Sequence, residues 1–247
     1  MKMKKFGVSV LVCLLFMAFG SSAMARTYVL GTFPIPLMVE TEDKGVFVDL
    51  TKELAKRAGV KIEIKIAPPP RTIQNFGQNK SDGFFPALDV TLPKAYARSA
   101  SIYVKRDFVF CKKGKGLTGI ADLEGKTVGL TRGYPYTREL IENKKITLEY
   151  ANDDVTNMRK LSLGRIDAFV VEKGSGLTAL EQSGARNIEY NANKVLSEMD
   201  VFYAFQKTTE NERLAEKFSN ALQEIRKDGT FEKIMSKAKQ KTESRTQ

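Results

Sequence analysis

The sequence predicts an α/β protein of two lobes, each with a mostly parallel sheet flanked by helices. Short apolar strands alternate with helices along most of the chain, the pattern of right-handed crossovers onto parallel sheets. A strand–helix–turn–Asp unit also occurs twice, ending at residues 79–82 and 164–167. Finally, 247 residues with 42% hydrophobic content suit two lobes of about 100 residues each.

The first half of the chain alternates strands and helices. The predicted elements are a strand over 28–32, a helix over 50–58, a strand over 60–66, a helix from Arg71 and a short strand at 84–85. Asp49 is a favoured N-cap and Gly59 a favoured stop for the first helix. The 60–66 segment has apolar residues at every second position, as in a half-buried strand. Three prolines at 68–70 favour a helix start directly after them.

The second half repeats this alternation. The predicted elements are strands over 127–131, 146–150 and 166–171, helices ending near Asn143 and Leu163, a helix over 209–227, and a last helix from Phe231 to about Ala238 before a frayed tail. Asp153 and Gly164 are the expected cap and stop of the helix that ends at Leu163.

The N-terminus has the pattern of an export signal. Three lysines precede an apolar stretch over 6–19, and small residues lead to Ala25. The stretch is shorter than the about 20 residues of a membrane span, so we expect cleavage after Ala25; the alternative is an uncleaved anchor. Residues 1–25 form the signal peptide in this prediction, and the remaining chain is periplasmic.

Composition excludes several chemistries. The chain has no His, so it has no imidazole base and no His metal ligand, and two Cys cannot form a Cys₄ zinc site. We therefore expect no metal and no cofactor. The net charge of +11 includes three Lys of the signal and becomes +8 without it. The remaining Lys are scattered among acids, which predicts no nucleic-acid partner.

Five segments follow one another in an informative order. They are GTFPIPL at 31–37, GVFVDLTKELA at 45–55, DLEGKTVGL at 122–130, LSLGRIDA at 161–168 and DGTFEKI at 228–234. In this order they resemble signatures of the bacterial extracellular solute-binding proteins of family 3, the polar amino-acid type with the type II periplasmic binding fold.

The resemblance implies a Venus-flytrap. Lobe 1 would comprise 26–106 and the return segment 201–247, and lobe 2 would comprise 107–200. Crossover strands near 107–111 and 201–205 would form the hinge. The implied function is capture of a small polar ligand, an amino acid or related compound, for an ABC permease or a sensor-kinase periplasmic domain, by a monomer that is not an enzyme. The alternative is a periplasmic dehydratase of the cyclohexadienyl type, in which Glu172 would act as the acid.

The family also implies where a ligand binds. In its members the first lobe gives an aromatic platform and an Arg for the α-carboxylate, and the second gives N–H groups at a helix start and an acid for the α-ammonium. Phe33 matches the platform, residues 132–137 match the anion-binding turn, and Glu172 matches the acid; Pro86 would line the floor. Phe33 and Pro86 have core packing as their alternative, and Glu172 a solvated strand end.

One departure affects the ligand. The family's Thr-Pro-x-Arg segment has no Arg here, where Pro93 and Lys94 stand. Arg71 is the substitute guanidinium we expect, because a surface position is the simpler interpretation of Arg98. Asp89 would favour a cationic or hydroxylated ligand. The candidate ligand-binding residues are Phe33, Arg71, Pro86, Asp89, Arg132, Gly133, Tyr134, Tyr136, Thr137 and Glu172.

Overall fold

The computed structural model describes residues 26–35, 38–93 and 95–243, with side chains to residue 237. The predicted signal peptide, Lys94 and the last four residues lie outside these ranges. The strands are β1 (Thr27–Thr32), β2 (Lys61–Ile66), β3 (Gly83–Ala87), β4 (Tyr96–Arg98), β5 (Tyr103–Lys112), β6 (Thr127–Thr131), β7 (Thr147–Ala151), β8 (Ala168–Glu172), β9 (Ile188–Tyr190) and β10 (Ser197–Gln206). The α-helices are α1 (Val46–Arg57), α2 (Pro69–Gly77), α3 (Arg138–Ile141), α4 (Asp154–Leu163), α5 (Lys173–Ser183), α6 (Thr209–Lys227) and α7 (Thr230–Glu243).

The strands form one curled, mixed sheet in the order β2-β1-β3-β10-β5-β8-β6-β7. β1 is parallel to β2 and β3, and β6 is parallel to β7 and β8. Antiparallel pairing enters through β5 and β10. The predicted α/β class is therefore confirmed, but among the described strands the sheet is mixed rather than mostly parallel, because β5 and β10 pair antiparallel with their neighbours.

β5 and β10 join the two parts of the sheet. The first part of β10 pairs with β5, and its later residues pair with β3 and β4. β5 pairs with β10 over 103–107 and with β8 over 107–111. The chain thus passes between the two parts twice, on adjacent antiparallel strands. The boundaries of the two lobes at 106 and 200 stay a prediction.

Both faces of the sheet are covered by apolar side chains. In the first part, α1, α6 and α7 pack on one face around Leu50, Tyr203 and Phe218, while Phe76 of α2 and Phe84 form a smaller cluster on the other. The second part has two clusters of its own. An apolar core on both faces leaves the strand ends as the place for polar chemistry.

Helix α1 begins four residues before the predicted start. Its N-cap position is Gly45 at φ 139°, a conformation that L side chains rarely adopt. A Cβ there would lie 2.3 Å from the carbonyl oxygen of Met38, whose backbone accepts the N–H of Phe47 at 2.9 Å. Asp49 therefore lies in the first turn of α1 and is not its cap, because the helix is fixed by this earlier turn.

Three other helices differ from the sequence prediction at their ends. α2 begins at Pro69, because proline is compatible with the first helical positions. α3 is a single turn over 138–141, and α7 continues to Glu243 where fraying was predicted after Ala238. α5 and β9 were not predicted. In contrast, α4 has the predicted Asp153 cap and Gly164 stop.

Candidate functional site

The predicted site residues follow the carboxyl ends of parallel strands. Phe33 follows β1 and Asp89 follows β3, which share one edge of the first part of the sheet. Arg132 follows β6, and Glu172 ends β8, at the matching edge of the second part. Open α/β sheets bind ligands at such edges, because side chains from several strands meet there.

Polar groups on the second part converge around one helix start and one loop. The Glu172 carboxylate caps α5 by accepting the backbone N–H of Ser175 at 3.0 Å. The Tyr134 hydroxyl donates to Asp154 Oδ2 at 3.2 Å, and the Thr131 hydroxyl donates to the other oxygen of Asp154. Asp154, a half-buried residue in the first turn of α4, was not among the predicted residues.

The electrostatics of this cluster are dominated by negative charge. Burial raises the pKa of Asp154, and the nearby Glu172 charge adds to the rise. Burial and the charges of Asp154 and Glu172 raise the pKa of Tyr134 to about 12. Tyr103, which is 38% exposed, has its pKa raised to about 12 by burial and by the charges of Glu172 and Asp107. Both phenols are neutral donors at physiological pH.

A buried ion pair lies beside this cluster on strand β5. Lys105 pairs with Asp107, whose side chain is fully buried, and also donates to the carbonyl of Pro135 at 3.2 Å. The Ser197 hydroxyl donates to Asp107 at 3.2 Å, and the Lys105 ammonium lies 5.4 Å from the ring centroid of Tyr136. Burial raises the pKa of Asp107, although Lys105 opposes that rise. The pair links the crossover strand to the loop after β6.

The first part of the sheet places charges near Asp89. This carboxylate accepts the Tyr96 hydroxyl and lies 3.4 Å from an Arg98 guanidinium nitrogen. Arg98 also donates to Asp200 at 2.8 Å and lies 4.1 Å above the ring of Phe202. Arg98 is thus exposed, as the surface interpretation predicted, and it is held in place by these ion pairs and by the Phe202 ring.

Phe33 and Pro86 lie close to this core. Phe33 is half-buried and packs against the cluster that contains Phe84 and Phe202. Pro86 is buried within β3. Arg71 is exposed on α2, and its guanidinium forms no hydrogen bond or ion pair among the described residues, so the structure does not bring it to the other candidates. The roles of all three in ligand binding stay predictions.

In the predicted anion-binding turn, two backbone N–H groups already donate to carbonyl groups of the protein. The N–H of Arg132 donates to the carbonyl of Ala151 at 2.8 Å, and that of Tyr134 donates to Thr131 at 3.2 Å. Gly133 has φ 83° and is exposed. The one-turn α3 offers a shorter helix start than the sequence pattern predicted.

The remaining residues of this turn differ in exposure. Tyr136 is 4% exposed, and its hydroxyl accepts the N–H of Thr131 at 2.8 Å, which fixes it in the core. Thr137 is half-buried at the N-cap position of α3. The Arg132 guanidinium lies 5.9 Å from the ring of Tyr150. Tyr134 is therefore the aromatic side chain of this turn that solvent reaches, at 42% exposure.

The part of the chain that the structure describes contains no group of three His, Cys, Asp or Glu side chains that could hold a metal ion. Across residues 26–35, 38–93 and 95–243, no helix combines the length and apolar character required to cross a bilayer.

The fold and the polar strand ends define the class of this protein. A histidine kinase sensor domain with similarity to periplasmic binding proteins superposes on this chain with a TM-score of 0.62 at 21% identity. The match covers 86% of this chain and 96% of the sensor domain. The chain is thus a type II periplasmic binding protein in its architecture. Residues 29–241 match the bacterial extracellular solute-binding proteins, family 3, and the chain belongs to that family.

Curated relatives agree with this family. The chain is 27% identical to the lysine/arginine/ornithine-binding periplasmic protein of Escherichia coli (strain K12) over 255 residues, which covers 96% of both chains. It is 26% identical to the putative amino-acid ABC transporter-binding protein PatH of Vibrio harveyi, over 83% of this chain and 84% of the relative. These relatives are binding proteins by name, and members of the family are periplasmic or extracellular.

Proposed function

We propose that this solute-binding protein captures a small polar solute with a positively charged group, an amino acid or a related compound. The observation that carries the proposal is the cluster of Glu172, Asp154 and Tyr134 after the carboxyl ends of β6, β7 and β8. In a partly desolvated place, its two carboxylates accept hydrogen bonds and the neutral phenol of Tyr134 donates one. A cationic group that loses its hydration there regains opposite charge and hydrogen bonds.

Closure of two lobes is the proposed mechanism. Lobe 1 is 26–106 with 201–247, lobe 2 is 107–200, and the hinge lies in β5 and β10. Support comes from the pairing of these two strands at the junction of the two parts of the sheet. A ligand that contacts both lobes stabilises the closed state in proportion to its preference for that state. A decrease in the radius of gyration on ligand addition, measured by small-angle X-ray scattering, is the expected sign.

The proposed site of action is the periplasm, after cleavage behind Ala25. There the monomeric protein would present its solute to an ABC permease or to a sensor domain. The names of the relatives support the first partner, and the similarity to a kinase sensor domain supports the second. N-terminal sequencing of the exported protein should begin at Arg26; a retained leader would contradict the cleavage.

The ligand proposal is tested by thermal shift against amino acids, polyamines, carboxylates and oligosaccharides. A true ligand at a hundredfold excess over its dissociation constant adds about 2.7 kcal/mol of stability. We expect the cationic members to raise the melting temperature. Glu172→Gln keeps an acceptor for the Ser175 N–H but removes the charge, and should weaken binding about tenfold or more.

Glu181→Gln is the matched control. Glu181 is exposed on the same helix α5, so its loss removes one negative charge away from the cluster. Its affinity should equal that of the unchanged protein. Equal binding by the Glu172 and Glu181 variants would contradict the proposed site, and a shift produced by anionic or uncharged solutes alone would contradict the proposed charge of the ligand.

A further inference from the structure

The second part of the sheet has a basic end, opposite the edge that carries Glu172 and Asp154. β5 ends there and β6, β7, β8 and β9 begin there, as the registers of their pairing show. We define the basic end by its four segments, residues 112–126, 142–147, 163–167 and 184–189. β6 and β8 each have five residues. At about 3.3 Å a residue, they keep the basic end roughly 15 Å from the acids of the candidate ligand site.

Positive charge is in excess at the basic end. Its four segments contain eight Lys or Arg and five Asp or Glu. Three of the acids accept backbone N–H groups, namely Asp122, Asp167 and Glu189. A fourth, Glu124, pairs with Lys145, and the fifth, Glu142, is exposed. Six exposed cations form no ion pair in the part of the chain that the structure describes, and they are Lys113, Lys115, Lys126, Lys144, Arg165 and Arg186.

Charges on the adjoining helix turns do not change this excess. Arg159 on α4 and Glu181 on α5 are both exposed and have opposite charges. Lys160, in the last turn of α4, pairs with Glu149 of β7. The excess of three positive charges therefore belongs to this whole end of the protein.

Hydrogen bonds hold the four segments together as one surface. The N–H of Lys113 donates to the carbonyl of Asn187 at 2.9 Å, and the Ser162 hydroxyl donates to the Asn187 side chain at 3.0 Å. Two further bonds of 2.8 Å join the segments before β6, β7 and β8, from Gly125 N–H to Lys145 and from Asp167 N–H to Thr127. The cations thus lie on one continuous end and not on separate loops.

Leu163 is exposed in the middle of these cations. It is the last residue of α4 and is 67% exposed, whereas the other exposed large apolar side chains of the described residues are 37–42% exposed. Arg165 lies two residues further along the chain. The Lys112 ammonium reaches the adjoining Gly164, since it lies 2.8 Å from the position that a Cβ on this glycine would take. An aliphatic side chain in water is therefore flanked by positive charge.

We propose that the basic end binds the surface of an anionic lipid bilayer, with Leu163 among the headgroups and the surrounding Lys and Arg at the lipid phosphates. A bilayer interface accepts both kinds of group, because anionic headgroups attract cations and the acyl boundary takes up apolar side chains. Long Lys and Arg stems also lie along apolar surface while their charged ends stay in water. A nucleic acid offers phosphates but no apolar layer beside them, so Leu163 favours lipid.

This binding goes beyond the solute capture proposed above and is compatible with it. The basic end and the candidate ligand site lie at opposite ends of β6 and β8. A protein held on a bilayer by its basic end keeps Glu172 and Asp154 on the side away from the lipid. Solute can therefore reach the site while the protein is bound.

Flotation with lipid vesicles tests the proposal. One set contains phosphatidylcholine with about one third phosphatidylglycerol, and the other contains phosphatidylcholine alone. We expect the protein to bind the anionic vesicles, and this binding should weaken as salt rises, because salt screens the surface charge. All variants are compared in the exported form, so that a retained leader would act equally on each of them.

Removal of three cations is the first comparison. The triple variant carries Lys113→Gln, Lys115→Gln and Arg165→Gln. Each Lys or Arg near an anionic bilayer strengthens binding about fivefold, so we expect a loss of at least about thirtyfold. The matched control carries Arg213→Gln, Lys217→Gln and Lys227→Gln on α6, where the three side chains are exposed and form no ion pair among the described residues. The control should bind as the unchanged protein does.

Leu163→Ala is the second comparison and tests the apolar contact. We expect at least about fivefold weaker binding to the anionic vesicles, because less apolar surface enters the bilayer. The salt dependence should stay the same, since no charge is removed. Leu177→Ala, at a position 39% exposed on α5, is the control for loss of an exposed leucine and should bind normally.

Three results would overturn the proposal. They are no preference for the anionic vesicles, equal binding by the triple variant and its control, and tighter binding of a DNA duplex or polyglutamate than of anionic vesicles with no effect of Leu163→Ala. The last result would indicate a different polyanion as the partner. None of them affects the solute proposal, because thermal shift with solutes is measured without vesicles.

Discussion

Replacement of Lys105 by Met should lower the free energy of unfolding, because it leaves the carboxylate of Asp107 without its partner. The Lys105 side chain is 10% exposed and that of Asp107 is 0% exposed, so the pair is shielded from water on both sides. Met keeps most of the aliphatic stem but removes the ammonium, which lies 5.4 Å from the ring centroid of Tyr136. Asp107 then keeps the Ser197 hydroxyl as its side-chain donor in a place without solvent.

The expected cost follows from this geometry. Removal of one partner of a buried ion pair costs about 3–5 kcal/mol, because the other charge remains desolvated. For a chain of this size that corresponds to roughly 6–20 °C in melting temperature. Removal of both charges is less costly, so Lys105→Met combined with Asp107→Asn should recover most of the loss.

The loss of stability in Lys105→Met should depend on pH. Burial already holds the folded-state pKa of Asp107 above its ordinary value of 3.8, so its ionisation lowers stability as pH rises through the folded-state pKa. Loss of Lys105 removes the charge that opposes this rise, so the pKa in the variant moves further up. The variant should therefore lose most stability at neutral pH. The loss should shrink in acid, where Asp107 takes up a proton.

Urea unfolding followed by circular dichroism at several pH values measures these differences. The single variant, the double variant and Asp107→Asn complete a double-mutant cycle. A loss below about 1 kcal/mol that does not change with pH would refute the reasoning, because it is the value typical of an exposed pair.

Three further predictions concern the rest of the fold. Gly45→Ala should cost about 2–4 kcal/mol in urea unfolding, since its Cβ would meet the Met38 carbonyl at a positive φ; an unchanged midpoint would contradict the described start of α1. Tyr203→Phe removes a buried 2.9 Å hydrogen bond to Thr51 and should cost about 1 kcal/mol in the same assay, whereas no loss would indicate that water replaces it. Cys111 is buried, and burial raises its thiol pKa, so Ellman's reagent should react with it only after unfolding; rapid labelling of the native protein would contradict its burial.

Local sequence signals predicted the regular parts of the fold well. The Asp153 cap and the Gly164 stop of α4 depend on contacts within the helix ends, and both are present, with the Thr156 N–H donating to Asp153 at 2.7 Å. The start of α1 was missed because it depends on a contact between Phe47 and Met38, outside the helix. Caps are local, but a turn that docks on another loop is not.

In the candidate site, too, local sequence signals were predictive, whereas features that depend on tertiary contacts were missed. Glu172 was predicted from its place at a strand end, and it lies there. The Lys105–Asp107 pair was missed, although residues two positions apart on a strand share one face of the sheet. Tyr136, a predicted ligand-binding residue, is buried, because neither pattern nor spacing shows which neighbour covers a side chain.

The order of the strands has a consequence for how the chain folds as it is made. The second part of the sheet, from β5 to β9, is built from one continuous stretch, so its pairings can form as soon as that stretch is available. The first part is closed by β10, where the Tyr203 N–H bonds to the Ser99 hydroxyl from 104 residues away, and by α6 and α7 at the end of the chain. During synthesis the first part of the sheet therefore stays incompletely paired until β10 has been made. A chain truncated before β10 should leave β3 with an open edge that is prone to aggregation.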